Sequence, residues 1–337
     1  MKGLEAHWYR PGPLPVLLLP LSALYCLVVL ARRAAYRVGL LPRFRLPVPV
    51  IIVGNITVGG TGKTPLVIWV TGFLKARGYR PGIVSRGYGG RASSWPQQVR
   101  ADSDPYVVGD EAVLLARRCD CPMAVGPDRV SAARALLEYS DCDILVSDDG
   151  LQHYPLERDI EIAVVDGVRR FGNGHCLPAG PLREPRRRLE EVDLVVSNGP
   201  GGRLEYPMRI RPGVPRRLDD PGQSQPLEVF HGVTVHAVAG IGHPERFFDV
   251  LRRAGLQVQA HPFPDHHRFS AGDLDFGDGA PVFMTEKDAV KCQRFAAGHH
   301  WYLPVDAEPD ERFAARLGAL VDARRGNSPA DAEAAGR

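Results

Sequence analysis

A glycine-rich stretch that ends in a lysine and a threonine carries the clearest chemistry in the sequence. It runs from Gly54 to Thr64, between an apolar run at 48–53 and a helical pattern at 65–77. Glycines let backbone N–H groups point at phosphate oxygens, and the N-terminus of a helix adds partial positive charge. The order strand, glycine loop, Lys-Thr, helix therefore predicts a phosphate-binding loop, or P-loop.

The predicted nucleotide contacts form one continuous run. They are Gly59, Gly60, Thr61, Gly62, Lys63 and Thr64. Lys63 and Thr64 are expected to reach the β- and γ-phosphates and Mg²⁺. The strict P-loop pattern places its first glycine six residues before Lys63, where Thr57 stands, so the match is to the second half of the motif.

Two adjacent aspartates supply the acidic group that a P-loop needs to organise Mg²⁺. Asp148 and Asp149 follow an apolar run at 144–146, which predicts a buried strand. Ligands bind at the carboxyl edge of open α/β sheets, and adjacent carboxylates repel each other unless a cation holds them. We predict a metal site at Thr64, Asp148 and Asp149, with a solvated Asp-Asp-Gly turn as the alternative.

Candidates for proton transfer lie further along the chain. Asp110 opens a predicted helix, so it is either a helix-capping acid or a base that accepts a hydroxyl proton. His266 stands between Asp265 and His267 in a polar loop, as a structural residue or a proton carrier.

Two arginine-bearing segments stand out beside these groups. Residues 85–91 offer Arg86 and Tyr88 among glycines after a strand, and residues 177–188 contain four arginines beside Pro-Gly turns. Both are candidates for binding an anionic substrate or a membrane, and the alternative for the second is a solvated helix start.

Alternating strand and helix patterns must position these residues. They predict an α/β fold: a P-loop NTPase-like, mostly parallel sheet with helices on both faces, a smaller C-terminal α/β unit and an N-terminal membrane-associated helix. The expected division is 1–45 for the apolar and basic helix, 46–198 for the core, 199–226 for a linker rich in Pro and Gly, 227–325 for the second unit and 326–337 for a disordered tail.

The N-terminal segment has no charged residue from Pro11 to Ala31, and Arg32, Arg33 and Arg37 follow directly. Interior prolines weaken a straight spanning helix, so we favour monotopic or peripheral attachment over a full span. The arginines keep the following domain cytoplasmic. A buried core helix is the remaining alternative.

Composition excludes several classes of protein. The 337 residues are 44% hydrophobic and 24% charged, with a net charge of +3, so the chain is globular and does not coat nucleic acid. Its six cysteines are scattered without the spacing of a zinc site, and we interpret them as reduced, buried thiols that bind no metal.

Eight motifs together resemble the tetraacyldisaccharide 4′-kinases, the lipid A 4′-kinases of Gram-negative bacteria. They are GNITVGGTGKTP, SRGYGG, GDE, DDGLQH, LPAGPLREP, AGIGHPERFF, PDHH and MTEKDAVK, and the similarity runs from the N-terminal helix to about residue 305. Thr57, which departs from the general P-loop pattern, agrees with this family's own loop.

The resemblance implies transfer of the γ-phosphate of ATP to the 4′-hydroxyl of a lipid A disaccharide 1-phosphate at the cytoplasmic face of the inner membrane. It implies ATP and Mg²⁺ as cofactors, Lys63 in catalysis, and Asp110 as the base in a dyad with His266, with His267 as the alternative. The implied secondary or substrate contacts are Arg86, Tyr88, Glu111, Arg129, Gln152 and His153. We expect the second unit to close on the first around the sugar hydroxyl.

Two other functions remain open from the sequence. A membrane-attached P-loop ATPase or GTPase would switch a protein partner, and a non-catalytic scaffold would only sense nucleotide. The lipid kinase explains both the apolar N-terminus and the arginines, and it requires no nucleic acid and no obligate protein partner.

Overall fold

The computed structural model describes residues 7–9 and 12–325, so the predicted tail at 326–337 lies outside the described residues. Its strands form two sheets. They are β1 (Val50–Gly54), β2 (Pro81–Ser85), β3 (Gln97–Gln98), β4 (Met123–Val125), β5 (Ile144–Asp148), β6 (Ile160–Asp166), β7 (Leu194–Asn198), β8 (Tyr206–Pro212), β9 (Arg216–Arg217), β10 (Thr234–Ala239), β11 (Gln257–Pro262), β12 (Val282–Thr285), β13 (His300–Leu303) and β14 (Val305–Pro309).

The helices alternate with the strands, as the sequence pattern predicts. They are α1 (Pro13–Leu17), α2 (Leu19–Arg37), α3 (Lys63–Ala76), α4 (Pro105–Val108), α5 (Asp110–Cys119), α6 (Arg129–Glu138), α7 (Pro244–Arg253), α8 (Glu286–Cys292) and α9 (Glu311–Arg325). Short 3₁₀ turns lie between some of them, at Arg186–Glu190, Leu227–Phe230, Ala271–Asp273 and Gln293–Phe295.

The large sheet has the order β14-β8-β7-β6-β1-β5-β2-β4-β3. Its central pairs are parallel, and only β3 and β14 join it antiparallel, at the two edges. Side chains of β1 alternate between two cores, since Ile51 packs with α3, α5 and α9 on one face and Ile52 packs with α6 on the other. The predicted parallel sheet with helices on both faces is confirmed.

The smaller sheet has the order β11-β10-β12-β13-β9 and is also mostly parallel. Phe248 of α7 packs against one face, and Cys292 of α8 packs against the other. This is the second α/β unit that the restart of the pattern after the Pro/Gly-rich region predicts.

The chain crosses between the units differently from the predicted linker at 199–226. Strand β8 lies within that segment and extends the large sheet, and β14 returns from the second unit to pair with β8. Prolines and glycines around β8 made its strand-like residues look like part of a linker, and β14 shows little of the apolar pattern of a buried strand because only Ala307 of it is buried. The division into separate domains stays a prediction.

Helix α2 begins at Leu19, with Pro20 in its first turn, where a missing N–H is tolerated. Ser22 Oγ donates a hydrogen bond to the carbonyl of Cys176, and Tyr25 Oη donates one to the carbonyl of Arg183. Ser22 is the buried residue of this helix, so α2 is not a core helix. By length and composition α2 could cross a membrane.

Candidate active site

The P-loop turns where strand β1 meets helix α3, and two glycines give it its shape. Gly59 and Gly62 have φ angles of +99° and +95°, the left-handed region that glycine tolerates best. A Cβ at Gly62 would lie 2.7 Å from Nδ2 of Asn198, which donates a hydrogen bond to the carbonyl of Thr61. The loop therefore requires glycine at 62 for both its backbone angle and its packing.

Lys63 begins α3 and reaches Asp149, the second residue of the predicted acidic pair. Its Nζ lies 3.4 Å from Oδ1 of Asp149, and Nη1 of Arg183 lies 3.0 Å from Oδ2. Arg129 donates to the backbone carbonyl of Asp149 at 2.8 Å. Burial opposes ionisation of Asp149, but Lys63 and Arg183 outweigh it and hold its pKa well below the usual range.

Asp148 has the opposite environment at the end of β5. It is 2% exposed, and its Oδ2 accepts one hydrogen bond, from Ser85 Oγ at 3.2 Å. Burial, together with the charges of Glu111 and Asp149, raises the pKa of Asp148 to about 7. Its Oδ1 has no hydrogen-bond partner among the described residues. A buried carboxylate oxygen without a partner is a suitable ligand for a hard cation such as Mg²⁺, so the residues fit the predicted metal.

Asp110 and His266, 156 residues apart in sequence, meet between the two units. Nδ1 of His266 lies 3.0 Å from Oδ2 of Asp110, and Oδ1 of Asp110 accepts the backbone N–H of Glu111 at 2.8 Å. Burial raises the pKa of Asp110, but the hydrogen bond from His266 and the charge of Lys287 lower it to about 2. The same hydrogen bond raises the pKa of His266.

The neighbouring histidine points elsewhere. His267 Nε2 lies 3.3 Å from Oδ2 of Asp273, within its own loop. His266 therefore holds the position beside Asp110 that the resemblance assigns to the dyad. Its φ of +58° makes it one of the few described non-glycine residues in the left-handed region.

Four of the six predicted substrate contacts lie around this pair or beside the acidic pair. The ring of Tyr88 makes an edge contact with His266 at a centroid distance of 5.0 Å. Glu111 binds Lys287, and Arg129 is buried beneath Asp149. Burial is the main cause that lowers the pKa of Arg129. Arg86 is exposed, and its nearby positive charge lowers that pKa further.

The other two predicted contacts, Gln152 and His153, lie in the loop after Asp149. Gln152 Nε2 donates to Glu184 at 2.7 Å and to the carbonyl of Asn55 at 3.0 Å. Burial and the charge of Arg129 lower the pKa of His153 to about 4. Among the described contacts neither residue reaches the Asp110–His266 pair, so their geometry supports the loops rather than the reacting groups.

The sequence analysis missed several residues that the structure brings here. Lys287 and Lys291 of α8 face Asp110, and Arg183 pairs with Asp149. All three lie within motifs quoted above, MTEKDAVK and LPAGPLREP. The basic residues of these motifs were therefore the one sequence feature that could have indicated further cations at the site. Nothing in one sequence indicated which carboxylate each would meet.

The parallel sheet, the P-loop and the acidic pair at the end of β5 define a P-loop phosphotransferase or nucleotide hydrolase. Comparison with known proteins narrows this class. The chain belongs to the LpxK family, tetraacyldisaccharide-1-P 4′-kinase, whose model matches residues 14–322. Family membership confirms the resemblance and does not favour the alternative of a switch ATPase.

Similar proteins span nearly the whole chain. The tetraacyldisaccharide 4′-kinase of Nitrosococcus oceani is 58% identical over 315 residues, which cover 94% of this chain and 93% of the relative. That of Alkalilimnicola ehrlichii is 56% identical, over 95% and 97%. The crystal structure of LpxK from Aquifex aeolicus in complex with ATP superposes with a TM-score of 0.77 at 27% identity, and the match covers 91% of this chain and 99% of that one.

Proposed function

We propose that this protein is an ATP-dependent kinase that phosphorylates the 4′-hydroxyl of a tetraacyldisaccharide 1-phosphate, a lipid A precursor. The observation that carries the proposal is the contact between Asp110 and His266 beside a P-loop, in a chain of this family. Asp110 is ionised at neutral pH, because its pKa is about 2, so it is ready to accept a proton.

In the proposed reaction the sugar oxygen attacks the γ-phosphorus of ATP. The bond from that phosphorus to the β–γ bridging oxygen breaks, ADP leaves, and the hydroxyl proton passes to the carboxylate of Asp110. A weak base is sufficient, since phosphoryl transfer has a loose transition state that relies on positioning and charge. His266 holds Asp110 in place from the second unit.

The nucleotide would lie on Gly59 to Thr64, where backbone N–H groups and Lys63 bind phosphate. Mg²⁺, held by Thr64 and the acidic pair, would neutralise charge on the β- and γ-phosphate oxygens. Arg183 and Lys63 keep Asp149 ionised for this role. The proposed substrate contacts are Arg86, Tyr88, Glu111 and Arg129. Gln152 and His153 are proposed to stabilise the loop that follows Asp149.

The test is transfer of labelled γ-phosphate from ATP to purified tetraacyldisaccharide 1-phosphate in detergent, with the matched 4′-deoxy lipid as control. We expect label on the first lipid and none on the second. Hydrolysis of ATP without labelled lipid would overturn the proposal, and so would equal labelling of the 4′-deoxy lipid, because the acceptor would then be another group.

We also propose that α2 attaches the protein to the cytoplasmic face of the inner membrane. Leu21, Leu24 and Leu27 are more than half exposed on α2, beside a face that Ser22 and Tyr25 fix to the core. Arg33 and Arg37 at the end of the helix pair with Glu191, and the Arg37 side chain, which is 60% exposed, presents positive charge to anionic lipid.

Co-sedimentation with anionic phospholipid vesicles tests the attachment. Each aspartate at the centre of an inserted helix costs about 2.5–3.5 kcal/mol on insertion scales, so we expect Leu24→Asp to lower the membrane partition constant about 50-fold or more. Leu204→Asp is the matched control, since Leu204 is 87% exposed and far from α2 in the chain. Equal loss of binding in both variants would contradict the proposal.

A further inference from the structure

Helix α8 brings two lysines to the candidate active site that have no role in the proposal above. Lys287 and Lys291 lie four residues apart, so both ammonium groups leave the helix on one side, the side that packs against α5. From Oδ2 of Asp110, Nζ of Lys291 lies 3.7 Å away and Nζ of Lys287 lies 4.0 Å away. Two positive charges therefore flank the carboxylate that also binds His266.

Lys287 differs from Lys291 in what holds it. Its Nζ lies 3.0 Å from Oε1 of Glu111 and 3.4 Å from Oδ1 of Asp265. A third neighbour is Nε2 of His266, also at 3.4 Å. The side chain is 15% exposed, so two carboxylates fix this ammonium group against the imidazole ring in a largely buried site.

The contact has a chemical consequence because an ammonium group donates hydrogen bonds and cannot accept them. The Nε2 atom that faces Lys287 then carries the lone pair, and the ring proton stays on Nδ1, where it is donated to Asp110. An imidazolium ring would instead turn an N–H toward a like charge. We propose that Lys287 is a positioning residue that holds His266 as the Nδ1–H tautomer and opposes its protonation. This inference rests on the proposed function.

The groups in and around the Asp110–His266 pair come from four parts of the chain, and some raise the pKa of His266 while others lower it. They are Asp110 and Glu111 of α5, Asp265 of its own loop, Lys287 and Lys291 of α8, and Tyr88 of the loop after β2. The hydrogen bond to Asp110 raises the pKa of His266, while burial and Lys287 lower it. Removal of the Lys287 charge should therefore raise that pKa further.

Nitrogen-15 NMR of the full chain, labelled at histidine and held in detergent, tests this without any measurement of activity. The chain has 11 histidines, so the His266 signal is assigned by its loss in His266→Gln. On the alkaline side of its titration we expect a pyrrole-type Nδ1 and a pyridine-type Nε2 in the parent protein. A pyridine-type Nδ1 there overturns the proposal, whether or not any lysine variant folds.

The titration midpoint of His266 gives the second arm. We expect Lys287→Met to raise it by about one pH unit, the size typical of removing one close charge, and Lys287→Arg to keep the parent value. Lys291→Met is the matched control, since Lys291 lies 2.7 Å from Asp288 and has no described contact with the imidazole. An unchanged midpoint in Lys287→Met overturns the proposal, and so does an equal rise in Lys291→Met.

Kinetics give the third arm. In the proposed dyad a neutral His266 donates its Nδ1–H to Asp110, so the acid limb of the pH profile of kcat/KM should move upward by about one unit in Lys287→Met. A merely structural role would lower the rate equally at every pH. Absence of lipid phosphorylation in the parent would refute the proposed function, while the NMR arms would still decide the role of Lys287.

Discussion

Asp110 and Asp148 are both buried aspartates at the candidate active site, and their surroundings differ in nearly every respect. Asp110, in the first turn of α5, is met by His266, Lys287 and Lys291, all from the second unit. Asp148, at the end of β5, accepts a hydrogen bond only from Ser85 among the described residues. Charge compensation therefore lowers the pKa of Asp110, whereas burial raises the pKa of Asp148.

The comparison shows how one residue type can supply two functions. A carboxylate that protein cations already stabilise is ionised and available to accept a proton. A buried carboxylate with an unpaired oxygen has too little positive charge nearby, and binding a cation would supply it. In the proposed function the two aspartates therefore have different roles, since residues of the second unit pair with Asp110 whereas Asp148 has no ion-pair partner among the described residues.

The largest expected effect comes from Asp110→Asn, which removes the proposed base. We expect kcat for lipid phosphorylation to fall about 10²- to 10⁴-fold, the usual contribution of general-base catalysis. The measurement is initial rate at saturating ATP and lipid, with Asp102→Asn, an exposed aspartate of the same unit, as control. Near-parent activity of Asp110→Asn would show that Asp110 is not the base, and the proposed contrast between Asp110 and Asp148 would then be wrong.

A smaller effect is expected at Asp148. Asp148→Asn should raise the Mg²⁺ concentration needed for half-maximal activity about 10- to 100-fold, the range seen when a group that supports a metal is lost. The rate at saturating Mg²⁺ should recover in part. Asp110→Asn should leave the Mg²⁺ requirement unchanged, and if the two variants shifted it equally the separation between base and metal ligand would be wrong.

Much of the fold followed from local pattern. The P-loop, the buried strand before Asp148 and the alternation of strands with helices depend on residues close in sequence, and the structure has them within a few residues of the predicted bounds. Strands β8 and β14 could not be predicted from local pattern. They pair with each other across 97 residues of chain, between Arg211 and Glu308, and their side chains are largely polar and half-exposed.

The site was predictable to a lesser extent. Residue type and spacing indicated Lys63, Thr64 and the acidic pair, because each of these groups lies within one loop or at the end of one strand. Asp110 and His266 were candidates from their local context, but their pairing came from the resemblance, because no local pattern joins residues 156 apart. The lysines of α8 were missed for the same reason: a helix of alternating charge reads as solvent-exposed until its neighbour is known, and Lys291 is 4% exposed.

The smallest expected effect is on stability, and it has opposite signs at the two aspartates. The folded-state pKa of Asp148 is about 7, above the ordinary 3.8, so Asp148 contributes stability that is complete below 3.8 and is lost as pH rises through about 7. The folded-state pKa of Asp110 is about 2, so its contribution is present above 3.8 and is lost as pH falls through about 2.

Thermal unfolding of the metal-free and nucleotide-free protein at pH 8 should therefore separate the two variants. Asp148→Asn is expected to raise the midpoint by a few degrees, because it removes a buried charge that has no ion-pair partner among the described residues. Asp110→Asn is expected to lower it, because Lys287 and Lys291 lose a counter-charge. As the pH is reduced from 8 to 5 the gain in Asp148→Asn should shrink by more than half, since the folded-state carboxyl group of the parent is then protonated while the unfolded-state carboxyl group is still largely ionised. A gain that persists unchanged at pH 5 would mean that Asp148 is ionised throughout, and the contrast between the two aspartates would then rest on hydrogen bonding rather than on charge.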